Sequence, residues 1–186
     1  SKFYYTPTFK KWVNTLVHNK FSDTKYDEPR IVIPLIYENQ LIGFQGRSLG
    51  PNSVKYITIM LDEAAPKVYG LDTINRKFPV YVVEGPFDSN FVSNSVALCG
   101  SDGDMAHLEG SSIIYVYDNE PRNKEIVRRI ENCIKNDKRV VIWPTNIKEK
   151  DINDMVLGGH DVMDVLQSNT YSGLKAQLQF NTWKRI

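Results

Sequence analysis

Tyr81-Val82-Val83-Glu84-Gly85-Pro86-Phe87-Asp88 is the stretch from which the rest of this 186-residue chain is read. A short apolar run ends in a glutamate, and a glycine, a proline and an aspartate follow. A buried parallel strand reads as a continuous apolar run, and its carboxyl end is where an open α/β sheet meets its ligands. Gly85 lets the backbone turn without a Cβ clash. Pro86 suits the first position of a helix. Asp88 lies one turn in, where the helix dipole favours an acid whatever else it does. The stretch therefore predicts Glu84 at the rim of a parallel sheet.

Downstream, strand and helix alternate. Strand 79–84 leads to helix 87–94, and strand 95–99 to a loop and a short helix near 103–109. Strand 112–118 precedes a helix over 121–136, and strand 139–143 completes the set. Short β-branched runs alternating with helices predict an α/β fold, a parallel sheet flanked by helices. Residues 151–186 read as a helical tail broken at Gly158-Gly159, with Leu174, Leu178 and Trp183 inward in its last helix. Upstream the pattern is mixed α+β. A helix over 7–18 puts Phe9, Trp12, Val13, Leu16 and Val17 on one face. Strands then run over 30–37, 41–47 and 54–59, with a turn at Glu38-Asn39-Gln40 and Pro51-Asn52-Ser53 leading into the third. Gly43 and Gly46 inside a strand predict a bulge or a close backbone approach. The expected organisation is a basic N-terminal lobe over 1–77, the sheet over 78–157 and a helical C-terminal segment over 158–186.

The composition is ordinary for a globular protein, 41% hydrophobic and 24% charged. No apolar run reaches membrane-spanning length, and no signal-peptide pattern is present. Cys99 and Cys133 are not in a CxxC pair, so no zinc ribbon is expected in this chain; both read as core thiols of a reducing cytoplasm. The net charge of +1 hides an asymmetry: residues 1–77 hold 11 Lys/Arg against 7 Asp/Glu, and residues 78–186 hold 12 against 15. A basic half and an acidic half suit an anionic ligand held against bound cations.

Two further acidic clusters follow strands. Ile113-Ile114-Tyr115-Val116-Tyr117 runs into Asp118-Asn119-Glu120, where extended backbone would turn Asp118 and Glu120 to one side. Asp118 could alternatively cap the next helix. Lys148-Glu149-Lys150-Asp151-Ile152-Asn153-Asp154 follows the strand ending at Trp143; taken alone it is a helix N-cap with solvated charges. Three acidic strand ends offer hard oxygen ligands, which suit Mg²⁺, with Mn²⁺ as a substitute. The lack of Cys/His clusters argues against zinc or a softer metal.

These motifs, in this order, resemble the TOPRIM fold shared by topoisomerases and primases. Arg30-Ile31-Val32-Ile33-Pro34, Gly43-Phe44-Gln45-Gly46-Arg47, Lys55-Tyr56 and Tyr69-Gly70-Leu71 resemble the RNA-polymerase-core motifs of DnaG-type DNA primases. Lys150-Asp151-Ile152-Asn153-Asp154 is similar to the last acidic motif, and the brevity and the tail resemble the primases of T-even-type bacteriophages. The resemblance spans residues 30–155, about two-thirds of the chain. It implies Glu84, Asp118 and Glu120 as metal ligands, with Asp151 from the last motif. It adds Asp88 to the catalytic acids, and it assigns Arg30, Arg47 and Lys55 to phosphates of nucleotide or template. Without it these three would read as exposed strand charges. Two departures stand out: Glu120 replaces the usual aspartate, and Asn153 stands where a second aspartate is usual.

The resemblance also implies the activity. A DNA primase core makes short RNA primers from NTPs on single-stranded DNA, through two metal ions, beside a replicative hexameric helicase. Such primases normally carry a zinc module ahead of this core, so primer synthesis by this chain alone is expected to be feeble. The alternatives are a TOPRIM nuclease using the same acids, which would not need the basic set, and a non-catalytic TOPRIM DNA-binding mediator, which usually brings a four-cysteine site. For a phage-encoded protein the expected location is the host cytoplasm, with no membrane partner.

Overall fold

The computed structural model describes residues 3–50, 54–99 and 105–186. The chain divides into two compact units, Ser1–Asp72 with Cys99–Asp104, and Thr73–Leu98 with Met105–Ile186.

The first unit is the mixed lobe. Strand β1 (Tyr4–Thr6) and helix α1 (Phe9–Leu16) precede β2 (Arg30–Tyr37), β3 (Gln40–Ser48) and β4 (Tyr56–Met60), and the four strands form an antiparallel sheet in the order β1-β2-β3-β4. The short β5 (Val68–Tyr69) lies near the end of the unit. The edge strand β1 had no sequence signal. Of the helix face expected to be apolar, Phe9 and Val13 pack with Val32, Phe44 and Ile59, whereas Leu16 is 51% exposed. The turn between β2 and β3 uses Glu38 and Asn39, both at positive φ (52° and 62°), as a two-residue hairpin loop requires. The Asp72 carboxylate accepts both of their backbone N–H groups, at 2.9 and 2.7 Å.

The glycine expectation holds in both forms. The register slips between Leu35 and Ile36. A Cβ on Gly43 would come within 2.6 Å of the Ile59 carbonyl oxygen, and one on Gly46 within 2.3 Å of the Phe9 ring. Gly46 is thus the gap into which Phe9 packs. Pro51-Asn52-Ser53 lie outside the described residues.

The second unit is the α/β part. Strand β6 (Val80–Val83) leads through Gly85 into a single helical turn, α2 (Pro86–Ser89), much shorter than the expected 87–94. Strand β7 (Ser95–Leu98) follows, then a 3₁₀ turn at Ala106–Leu108; residues 103 and 104 of the expected short helix are outside the described residues. β8 (Ile113–Tyr115), α3 (Lys124–Lys135) and β9 (Arg139–Val141) continue the alternation. β6 pairs in parallel with β7 and β8, and β8 with β9. The tail holds α4 (Ile152–Leu157), α5 (Val162–Ser168), β10 (Thr170–Tyr171) and α6 (Gly173–Trp183).

The periodicity of α3 explains its packing. Ile126, Val127, Ile130, Cys133 and Ile134 recur at helical spacing and are buried. Asn123, not Asp118, caps this helix, its side chain accepting from the Glu125 N–H at 3.0 Å. Two tail expectations fail. β10 adds an antiparallel strand to β9 inside a segment read as wholly helical. In α6 Trp183 is inward as expected, with Ala176 and Phe180, but Leu174 and Leu178 are 76% and 60% exposed. The spacing 176, 180, 183 follows one helical stripe, and Leu174 and Leu178 belong to another. Both cysteines are buried free thiols, as expected. Among the described residues no helix is long and apolar enough to cross a membrane.

Candidate active site

β6 delivers Glu84 as the sequence predicts. Val80 to Val83 are all buried, and Glu84 follows at the carboxyl end with its side chain about a quarter exposed. β8 ends at Tyr115 rather than at Asp118, but Val116 still donates its N–H to the Val82 carbonyl at 2.9 Å. The chain therefore carries Asp118 to the same rim. The Asp118 backbone N–H donates to Glu84 Oε2 at 3.3 Å, which brings the Glu84 carboxylate against the Asp118 position.

The acids crowd one another. Burial first, then the charges of Glu84, Asp88 and Asp151, push the Asp118 carboxyl up to about 8. Carboxylates that cannot all ionise together behave in this way. Each of its neighbours is held by a polar group. Asp88 Oδ1 accepts the Asn153 N–H at 3.1 Å, which ties α2 to the start of α4. Asp151 caps α4, accepting the Asp154 N–H at 2.8 Å. The capping geometry expected of this cluster is thus present, together with a charge felt at Asp118.

Glu120 is placed differently. Its N–H donates to the Asp118 carbonyl at 2.8 Å, a tight turn in place of the extended backbone that would have set Asp118 and Glu120 on one side. Its carboxylate instead pairs with Lys150 at 3.3 Å. The Lys150 ammonium is desolvated, but its contact with Glu120 and the charges of Asp118 and Asp151 prevail and raise its pKa.

Arg129 was not foreseen. From α3 its guanidinium donates to Glu84 Oε1 at 3.1 Å and to Glu125 Oε1 at 2.5 Å. The available signal was topological: the helix after β8 starts at the acidic rim, so its exposed side passes the carboxylates. As the side chains stand, no group of three or more His, Cys, Asp or Glu among the described residues is gathered as a metal cage. Arg129 and Lys150 take up charge at Glu84 and Glu120. The donor chemistry, hard carboxylate oxygens at a partly buried rim, is of the kind that suits Mg²⁺ or Mn²⁺.

The basic residues lie in the first unit. Arg47 donates to the Tyr56 hydroxyl at 2.6 Å and lies over the Tyr56 ring at 5.2 Å. The exposed Lys55 ammonium is 5.9 Å from the same ring. Arg30 departs from both expectations, as a phosphate ligand and as an exposed charge. It is 2% exposed, donates to the Gly46 carbonyl at 2.7 Å, pairs with Glu28 and lies 5.4 Å from the Phe9 ring. A buried guanidinium persists only when paired and hydrogen-bonded, and these contacts supply that.

No family model matches the chain. A DNA primase of Enterobacteria phage T4 is 31% identical over 191 residues, covering 98% of this chain and 55% of the relative. The chain spans about half the length of that relative. A DNA primase domain from Pseudomonas aeruginosa matches with a TM-score of 0.55 at 22% identity, over 74% of this chain and 51% of that one. A DnaG primase catalytic domain bound to single-stranded DNA matches with a TM-score of 0.56 at 20% identity, over 75% and 50%. At such identities these structures speak for the fold alone, a TOPRIM-type sheet with a mixed N-terminal lobe.

Proposed function

The chain is related in sequence to a phage DNA primase and shares the fold of DnaG-type catalytic cores, and from that premise we propose that it is the RNA-polymerising core of a DNA primase. Its substrates are NTPs and a single-stranded DNA template, and its product is a short RNA primer for DNA replication. The observation that carries this reading is the carboxyl cluster at the sheet rim, where burial first, and then Glu84, Asp88 and Asp151, push Asp118 up to about 8. Several acids gathered at one partly buried rim suit a bound cation.

Glu84 and Asp118 would hold divalent metal, with Asp88 and Asp151 beside them, and Glu120 would join on leaving Lys150. Bound there, a divalent ion would help activate a primer 3′-hydroxyl and neutralise departing pyrophosphate. The chain's own residues do the rest. The Asn153 N–H orients Asp88. Arg129 and Lys150 keep Glu84 and Glu120 paired. Arg47, held against Tyr56, presents a planar fork, and Lys55 a point charge, for template or nucleotide phosphates. Arg30 supports the lobe from within. A replicative helicase is the proposed partner, and the host cytoplasm the proposed location.

The test is RNA synthesis on single-stranded DNA with labelled NTPs and Mg²⁺, beside Glu84→Gln and Asp118→Asn. The wild type makes a dinucleotide or longer RNA, and both variants lose it. No RNA even with an added zinc module refutes the reading, and degraded DNA instead points to a nuclease.

A further inference from the structure

The C-terminal helix ends on the acidic rim. Trp183, the last residue of α6, is 5% exposed and donates its indole N–H to Asn119 Oδ1 at 2.9 Å. Asn119 sits between Asp118 and Glu120. Its side-chain amide donates to the carbonyls of Ile147 and Glu149, at 3.2 and 3.0 Å, and its backbone N–H to the Lys150 carbonyl at 2.7 Å. One residue thus ties the loop carrying Asp118 and Glu120 to the loop carrying Lys150 and Asp151. Every one of those bonds uses an Asn119 donor, and the Trp183 indole supplies the amide oxygen with its hydrogen.

A second indole acts one residue on the other side of Asp118. Trp143, 3% exposed beyond β9, donates to the Tyr117 carbonyl at 2.8 Å. Asp118 is therefore flanked by two residues, Tyr117 through its backbone carbonyl and Asn119 through its side chain, each tied to a buried tryptophan. Arg185 adds a backbone bond to the Pro121 carbonyl at 2.9 Å, so the tail holds the loop at two points. The loops border an open pocket of about 190 Å³ lined by Asn119, Pro144, Lys148 and Trp183, so solid core packing does not join them there.

We propose that Trp183 is a positioning residue for the acidic site: through Asn119 it clamps the Asp118–Glu120 loop to the Lys150–Asp151 loop and so sets the spacing of the carboxylates for metal. The metal half of this rests on the proposed function; the clamp itself does not. Outer contacts that orient metal ligands matter nearly as much as the ligands.

The experiment uses the whole chain, with Trp183→Phe, Asn119→Ala and the double variant. Phenylalanine keeps a ring against Phe180, which lies 6.2 Å away centroid to centroid, and removes the donor with part of the ring volume, which is why Asn119→Ala runs beside it. In Trp183→Phe the Asn119 backbone amide exchanges about five- to tenfold faster without metal, the loss of one hydrogen bond's worth of protection. Mn²⁺ binding, followed by calorimetry, weakens roughly 10-fold or more. The double variant binds Mn²⁺ no more weakly than Asn119→Ala alone, because both act on one connection. If Trp183→Phe does not fold, Asn119→Ala decides the matter through the Trp183 indole proton, which then exchanges faster. Unchanged exchange of both protons in folded variants overturns the clamp. Absence of Mn²⁺ binding by the wild type overturns the metal reading instead, with exchange still judging the clamp.

Discussion

Asp118→Asn should remove a pH dependence of stability that the wild-type chain carries. In the fold the Asp118 carboxyl titrates near 8, because it is desolvated and faces Glu84, Asp88 and Asp151; in the unfolded chain an aspartate titrates near 4. Between those values the folded state holds a proton that the unfolded state has released. The unfolded state then binds fewer protons, so unfolding free energy falls as pH rises. The contribution is whole below about pH 4 and gone above about pH 8. Each tenfold in proton affinity is about 1.4 kcal/mol. Water screens this partly exposed rim, so roughly half of the full gap, about 2–3 kcal/mol, is the expected loss. The assay is urea unfolding of both proteins in chelator from pH 4.5 to 9. Groups away from the rim titrate alike in the two, so the difference isolates Asp118 together with its coupling to Glu84, Asp88 and Asp151. Wild type should lose about 2–3 kcal/mol relative to Asp118→Asn across that range, and Mn²⁺ should restore it at high pH through binding to the folded state alone. Parallel curves, or a wild type that gains relative stability as pH rises, would refute the crowded-carboxylate account.

Gly46→Ala should destabilise the first unit by about 1–3 kcal/mol in urea or thermal unfolding, because the new Cβ meets the Phe9 ring at 2.3 Å and must displace it from its core. Arg129→Gln takes a competing cation from Glu84. Mn²⁺ should bind several-fold more tightly in calorimetry while stability moves by less than about 1 kcal/mol; weaker binding would mean that the arginine orients Glu84 rather than competes for it. Lys55→Ala should lower the salt dependence of single-stranded DNA binding by about one phosphate contact, read as the slope of log affinity against log salt in fluorescence anisotropy. An unchanged slope would remove Lys55 from the template path.

What the sequence by itself determined is the local architecture and the residues at its strand ends. The apolar run before Glu84 can be read as a buried strand because parallel strands are covered on both faces and need no polar alternation. Gly85-Pro86 marks the turn because backbone preference is a property of those residues wherever they stand. Gly46 was legible as a close approach, though not that Phe9 fills it. The motif order supplied the family resemblance for the same reason, being a linear pattern. Only the tertiary structure decided which charges meet. Arg30 looks like any strand cation in sequence, and burial against Phe9 gives it a different part. Arg129, on the half-buried side of α3, reaches Glu84 across 45 positions, and Trp183 reaches Asn119 across 64. Glu120 turns from its acidic neighbours to Lys150 because the strand stops at Tyr115, short of where its pattern of residues would carry it. Electrostatic energy depends on distance through space and on solvent, and neither is written along the chain.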